Sequence, residues 1–371
     1  VADRIRLSPL SALDPAQWDA LSRGRPPLRR ELLLEFAGQQ GYQLQVCSLS
    51  DDTGLLCAAI VEISTTATET GRLEGLLFGR GRALASRLRI AGLPYLCVAP
   101  PLGQDSGVVV RPGTATERTL RTERFVVALE QWCSTEGMGL VFLAVPEHEA
   151  PLFDVLRSRG YLRSRSRSST VFPIRWRNFD DYRRDLAARG GRIGATLRQE
   201  RKRSRDAGVA IRRVAPTAAT GARLYELALD HYRYKNGEPL SYDSSFLQNL
   251  LPALGDDVLV LEATRGGVVC AILGVVKSGT VGWACFFGLD TRDRPNDFTY
   301  FNLVYYTLMD HAADFGLDRV IMGSGVYAAK LRRGCELVPV QFFHRPHGVL
   351  RRILLRPWYA LHGRWVAKKF T

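Results

Sequence analysis

Two stretches of this chain repeat one another, and that repetition limits its fold more than any other feature. Residues 124–162, RFVVALEQWCSTEGMGLVFLAVPEHEAPLFDVLRSRGYL, and residues 301–337, FNLVYYTLMDHAADFGLDRVIMGSGVYAAKLRRGCEL, run in the same order. An amphipathic helix carrying Phe125, Leu129, Trp132 and Cys133, or Leu303, Tyr306 and Leu308, ends near Gly137 or Gly316. A short apolar strand follows, LVFLAV or RVIMG. A second helix then closes on Arg159-Gly160 or Arg333-Gly334, since glycine tolerates the left-handed turn past a helix end. Self-similarity on this scale predicts a duplicated α/β unit; the alternative is a chance likeness of two ordinary segments. The length of 371 residues agrees with duplication, because it exceeds what one hydrophobic core usually supports.

Antiparallel strands precede each copy. Residues 41–64 read as a hairpin, GYQLQVCSLS and LLCAAIVEIS about the turn DDTG; residues 258–288 read as a three-stranded meander with turns TRGG and KSGT. Between the copies, RSRSRSSTVFPIRW predicts a strand entered through a basic turn, and FDDYRRDLAAR a helix with acids in its first turn, where the helix dipole favours them. Gly190-Gly191 breaks that helix. Another is expected from about Arg192 to Asp206, with Gly208 past its end. The boundary falls near 176, giving domains 1–176 and 177–371, each an α/β (α+β) layer with a mixed sheet flanked by helices.

The formal net charge of +14 points to an anionic partner: RNA, a phosphorylated small molecule or a membrane surface. The densest basic stretch is TLRQERKRSRDAGVAIRR, 196–213, where Arg198, Lys202 and Arg205 share one helical face and Arg201 lies beside them. No apolar stripe continues past Leu197, so this part is either solvated or covered by a partner. The tail HGVLRRILLRPWYALHGRWVAKKF, 347–370, mixes Leu350, Ile353, Leu354, Trp358, Leu361 and Trp365 with six cations. It suits peripheral contact with a membrane interface, or a packed terminal helix with a basic outer face on RNA phosphates.

Seven cysteines stand singly in apolar segments without ligand spacing, which predicts reduced core thiols and a cytoplasmic protein. No signal-peptide pattern opens the sequence, and no run reaches roughly 18 apolar residues. The histidines show no HExxH spacing and GSG is no nucleophile elbow. His344, His347 and Cys335 lack a companion acid or second cysteine, so no metal is expected.

A meander, helix, strand and helix, duplicated and joined through a basic helix, resembles the tandem duplicated GNAT fold of Fem-type aminoacyltransferases and BioF2-like acyltransferases. The resemblance is carried by Leu197-Arg198 with Arg201 and AGV (207–209), by FFGLD (286–290), by YFNLVYYTLMDHAADFGL, and by MGSGVYAAKLRRG (322–334). It covers most of the C-terminal half, and the N-terminal half by architecture. It implies amide formation from an activated acyl donor, with Lys330 where such proteins commonly carry a lysine. Two departures bear on donor and acceptor. No heptad arm is inserted in the C-terminal half, which turns the expectation from cell-wall bridges toward a specialised metabolite. Where acyl-CoA enzymes carry an [RQ]xxGx[GA] turn for the pyrophosphate, this chain reads GLDTRDRPNDFTYFN. GLLFGRGRALASR (75–87) has glycines in another order and in the other copy.

Acyl transfer to an amine needs a proton acceptor and a partner for the oxyanion. Lys330, after the flexible GSG, is the candidate for the second role, and Asp297, in an acidic turn with Asp290 and Asp293, for the first. The other reading of each is a solvated side chain. Ser324 and Tyr327 flank the same turn. Tyr300 opens the following helix region. Tyr234 and Lys235, beside His231 and Tyr232, end a helix whose following loop faces the acceptor in related folds. These five are the substrate-binding candidates. Arg198, Arg201, Lys202, Arg205, Arg332 and Arg333 are the candidates for phosphate or tRNA.

Three functions follow. The favoured one is a monomeric enzyme needing no cofactor, which moves an aminoacyl group from aminoacyl-tRNA to an amine of a small molecule or peptide. The others are the same fold using acyl-CoA, and a non-catalytic RNA- or membrane-surface-binding protein.

Overall fold

The structure is a computed structural model that describes residues 4–39, 44–64, 73, 77, 93–237, 240–291 and 297–370. Apart from Leu77, the glycine-bearing stretch 75–87 lies outside them, as does Asp293.

The hairpin forms as read. β2 (Gln45–Asp51) and β3 (Gly54–Ser64) pair antiparallel, with Asp51 opposite Gly54 across the turn. β3 then pairs with β4 (Tyr95–Val98), which runs parallel to β6 (Gly139–Pro146). The full order is β1 (Arg6–Ser8), β2, β3, β4, β6, β15 (Val340–Arg345) and β7 (Leu162–Arg165), with β5 (Val108–Val110) on β3. The Ala115–Thr135 and Ala150–Ser158 helices cover one face through Phe125, Leu129, Val155 and Leu156. Helix Val349–Phe370 sets Leu355 and Tyr359 in a separate cluster with Tyr95, Leu143 and Phe342.

The second sheet follows the same plan. β9 (Val209–Val214), β10 (Val258–Arg265), β11 (Val268–Ser278) and β12 (Val281–Leu289) are successively antiparallel, and β12 runs parallel to β13 (Arg319–Ile321). β8 (Ser169–Pro173) and β14 (Glu336–Val338) complete it in the order β14-β8-β13-β12-β11-β10-β9. Gly266 and Gly267 take φ of +56° and +79° in the β10–β11 turn, the geometry a two-residue hairpin loop demands. The helix breaks also fall as expected: Gly137, Gly160, Gly208, Gly316 and Gly334 all have φ between +66° and +83°.

Instead of one division near 176, the chain divides at four places. One compact unit comprises Val1–Ser22, Gly41–Ser169 and Val338–Thr371, and the other Arg23–Gln40 and Thr170–Leu337. Each sheet is completed by a strand from beyond its own half. β15 inserts between β6 and β7, and β8 between β13 and β14. Sheet edges explain this exchange. An unfilled β6 edge would leave backbone donors and acceptors open, whereas β15 pairs them and buries Phe342 and Phe343 completely. In the second unit, helix Arg30–Ala37 packs Phe36 edge-on against Phe246 of helix Ser244–Leu254, with centroids 5.0 Å apart.

Helix Ala218–Asn236 crosses Ser244–Leu254 so closely at Gly221 that a methyl there would run into the Leu247 carbonyl. Gly221→Ala should therefore lower stability by about 2 kcal/mol or more, despite the better helix propensity of alanine. Urea denaturation reads this directly, and an unchanged midpoint would show that the two helices can part without cost.

Candidate active site of the second unit

β12 and β13 pair only from Val281–Trp283 to Arg319–Ile321, while β12 continues to Leu289. Just past the last pair β12 bulges. Gly274 faces Phe286 and Val275 faces Ala284, so Cys285 is the extra residue, and such residues stand outside the ladder. A row of half-buried rings runs beside this edge. His231 meets Phe287 edge-on at 5.1 Å, Phe287 meets Tyr300 at 5.1 Å, and Tyr300 meets Phe301 at 5.2 Å. Burial raises the Cys285 thiol well above its usual range, which keeps it protonated and unsuited to nucleophilic attack.

After β13 the chain turns through Gly323 (φ +67°), Gly325 (φ +87°) and Val326 (φ +50°) into the short helix Tyr327–Arg332. A left-handed β-branched residue is strained by about 1–3 kcal/mol. Lys330 holds the turn in place: its Nζ donates to the carbonyls of Met322 (2.6 Å), Gly323 (3.0 Å) and Ser324 (3.4 Å). The side chain is buried, and burial pushes its pKa down to about 8 even though the three acceptors favour the ammonium. The expected oxyanion partner thus spends its donors on the loop. Ser324 is exposed and Tyr327 half-buried on that loop.

Glu200 and Arg333 form the buried centre of this end of the unit. Nη2 of Arg333 lies 2.8 Å from both carboxylate oxygens, and the two residues are 6% and 4% exposed. The Tyr306 hydroxyl donates to Glu200 and accepts from Arg333 Nε at 3.3 Å; Arg333 also donates to the Ala329 carbonyl and lies 3.4 Å from the Phe301 ring centroid. Arg333 therefore does not extend toward a phosphate as the sequence suggested. Arg201 departs from that expectation too, bonding Asp310 at 3.0 Å and covering the Phe179 ring at 4.3 Å. Arg198, Lys202 and Arg205 point outward from helix Ile193–Asp206. At the head of that helix lies a cavity of about 500 Å³, rimmed by Arg189, Gly190, Gly191, Arg192 and Arg332, with Glu200 and Arg333 in its wall. Arg192, in the cap position, makes no side-chain cap, and Ile193 and Thr196 of the first turn line the cavity.

Asp297, expected as a proton acceptor, is 7% exposed; its Oδ1 accepts from Thr299 N at 3.0 Å, and its Oδ2 lies 3.5 Å from Arg265. It heads the helical stretch after β12, with Phe298 left-handed beside it at φ +59°. A pyrophosphate bound there would meet a carboxylate. Tyr234 and Lys235 are exposed on the last turn of Ala218–Asn236, with Nζ 6.0 Å from the Tyr234 ring.

The site residues missed by sequence reasoning are Glu200, Arg189, Arg192, Cys285 and Phe287. Glu200 had a signal: it follows Leu197 by three positions, on the anchored side of an otherwise basic helix. A bulge has none.

A meander followed by a parallel pair of strands, present twice, defines a tandem protein of the GNAT acyltransferase fold. Residues 191–331 match the family model of the acetyltransferase (GNAT) domain. No curated protein matches the sequence. Solved structures similar to this one include FemX (11% identity, TM-score 0.58, 92% of this chain and 98% of that one) and L-PGS from Bacillus licheniformis (11%, 0.57, 95% and 98%). A conserved protein of unknown function from Bacteroides thetaiotaomicron is also similar (12%, 0.55, 91% and 97%). At these identities the likeness is one of fold.

Removing one partner of the buried pair strands the other charge. Glu200→Gln should cost about 3–5 kcal/mol in urea unfolding, and adding Arg333→Met should recover part of it; additive losses would contradict the pairing. Lys330 has a folded pKa near 8 against an ordinary 10.5, so the unfolded chain binds the extra proton between those values. Wild-type stability should accordingly rise relative to Lys330→Met as pH climbs through this window, and a flat difference from about pH 7 to about pH 10 would show that the carbonyls compensate burial completely.

Proposed function

We propose that this protein is an N-acyltransferase that carries an aminoacyl group from aminoacyl-tRNA to an amine of a small molecule or peptide, in the cytoplasm. The observation that carries the choice of donor is the contrast between two helix heads in the second unit. One opens into the cavity rimmed by Arg189, Arg192 and Arg332, on a helix whose outer face presents Arg198, Lys202 and Arg205. The other, after β12, is headed by the Asp297 carboxylate. An RNA donor needs the first; the pyrophosphate of CoA needs a glycine-lined version of the second. The resemblance to Fem-type enzymes supports the same reading.

In the reaction the neutral amine attacks the ester carbonyl, the tetrahedral oxyanion collapses, and the tRNA hydroxyl leaves as the amide forms. The β12 edge at the Cys285 bulge suits the carbonyl oxygen, because amides outside the ladder can donate to developing charge. In this reading His231, half-buried beside Phe287, accepts the proton lost by the amine. Tyr300, whose ring meets Phe287, belongs to the same row, and the exposed Tyr234 and Lys235, on the last turn of the helix that carries His231, suit a polar acceptor.

The family model's description as an acetyltransferase domain favours a second reading, acyl-CoA as donor. Incubation with charged tRNA, with acyl-CoA, and with a panel of amines, followed by mass spectrometry of the amine, separates the two. With tRNA as donor, activity falls steeply with salt and is abolished by ribonuclease; ribonuclease-resistant turnover with acyl-CoA overturns the tRNA reading, and no turnover with either supports a binding protein. Arg198→Glu with Lys202→Glu, both exposed, should raise the KM for tRNA by roughly tenfold or more at unchanged Tm, because several phosphate contacts are lost together.

A further inference from the structure

We infer that the outer face of helix Val349–Phe370 is a binding surface for an anionic lipid bilayer, on which the helix lies flat. The helix has two apolar faces. Leu355, Tyr359, His362 and Val366 recur at helical spacing and are buried, between 2% and 9% exposed. On the opposite side Val349, Leu350, Ile353, Leu354, Trp358 and Leu361 are 43–70% exposed. A helix packed on one face is ordinarily polar on the other. Here six large apolar side chains share the outer surface with Arg351, Arg356 and Arg364, and residues 349–370 contain no Asp or Glu.

Charge and apolarity together select the occupant. RNA phosphates would pair the arginines and leave the leucines wet. A second copy of the helix would cover the leucines but bring cation against cation. A bilayer with anionic headgroups satisfies both, with Trp358 at headgroup depth. The helix lies on the surface without crossing, since no described helix is long and apolar enough to span a membrane. None of this depends on the acyl donor.

The test is sedimentation of the full chain with phosphatidylglycerol vesicles, phosphatidylcholine vesicles and no vesicles, alongside Leu350→Glu with Leu354→Glu. Both positions are exposed, so the double variant should keep the wild-type Tm. Wild type should pellet with the anionic vesicles, retain part of that binding in high salt because apolar insertion is unscreened, and show a blue-shifted tryptophan emission that Trp358→Phe removes. The double variant should bind at least about tenfold more weakly. Equal binding by wild type and variant, binding lost entirely in moderate salt, or a wild-type dimer without vesicles that the variant abolishes would each overturn the assignment. So would loss of tRNA binding in the variant with vesicle binding unchanged.

Discussion

The contact on which this end of the second unit depends is the buried pair of Glu200 and Arg333. Taking two ions out of water costs several kcal/mol each, and attraction offsets that only when the remaining donors and acceptors are also satisfied. Here they are: two carboxylate contacts at 2.8 Å, the Tyr306 hydroxyl, the Ala329 carbonyl and the face of Phe301 surround the guanidinium. Helix Ile193–Asp206 buries Gly194, Leu197, Glu200 and Ser204, a face with one large apolar side chain. Such a face is weak in hydrophobic terms, and the ion pair fastens it to the end of helix Tyr327–Arg332. The Tyr182 hydroxyl donates to the Arg333 carbonyl at 3.0 Å and ties helix Phe179–Ala188 to the same point.

Fastening the helix from inside decides what it shows outside. Glu200 and Arg201 hold two neighbouring sides, through Arg333 and Asp310, and Arg198, Lys202 and Arg205 are left facing water. The Gly190-Gly191 break sets the helix head at the cavity mouth, with φ of +99° and +77° that other residues adopt only at a cost. A basic surface beside the cavity mouth is a physical consequence of this docking, and it is the feature on which the donor reading rests.

Several polar residues serve backbone before chemistry. Lys330 gathers three carbonyls and Asp297 caps Thr299, and each steadies a segment whose φ values are unfavourable for its residue type. The reacting groups would then meet mostly backbone and ring faces: the bulged edge of β12 and the row from His231 to Phe301. Motif searching finds little there, because a bulge and a strand splay leave no residue signature.

The duplication, the meander, the helix breaks at glycine and the basic helix were all legible in the sequence. Each is a local pattern: apolar spacing, turn residues and charge density report what a short stretch does on its own. Tertiary structure alone decided which cations are free and which sheet each strand joins. Arg333 finds its acid 133 positions away, and nothing near it in sequence distinguishes it from Arg332, which stays exposed. β8 was legible as a strand and β15 was not singled out, and the two complete each other's sheets, because an open sheet edge accepts a strand for its backbone groups and its buried side chains, whatever its place along the chain.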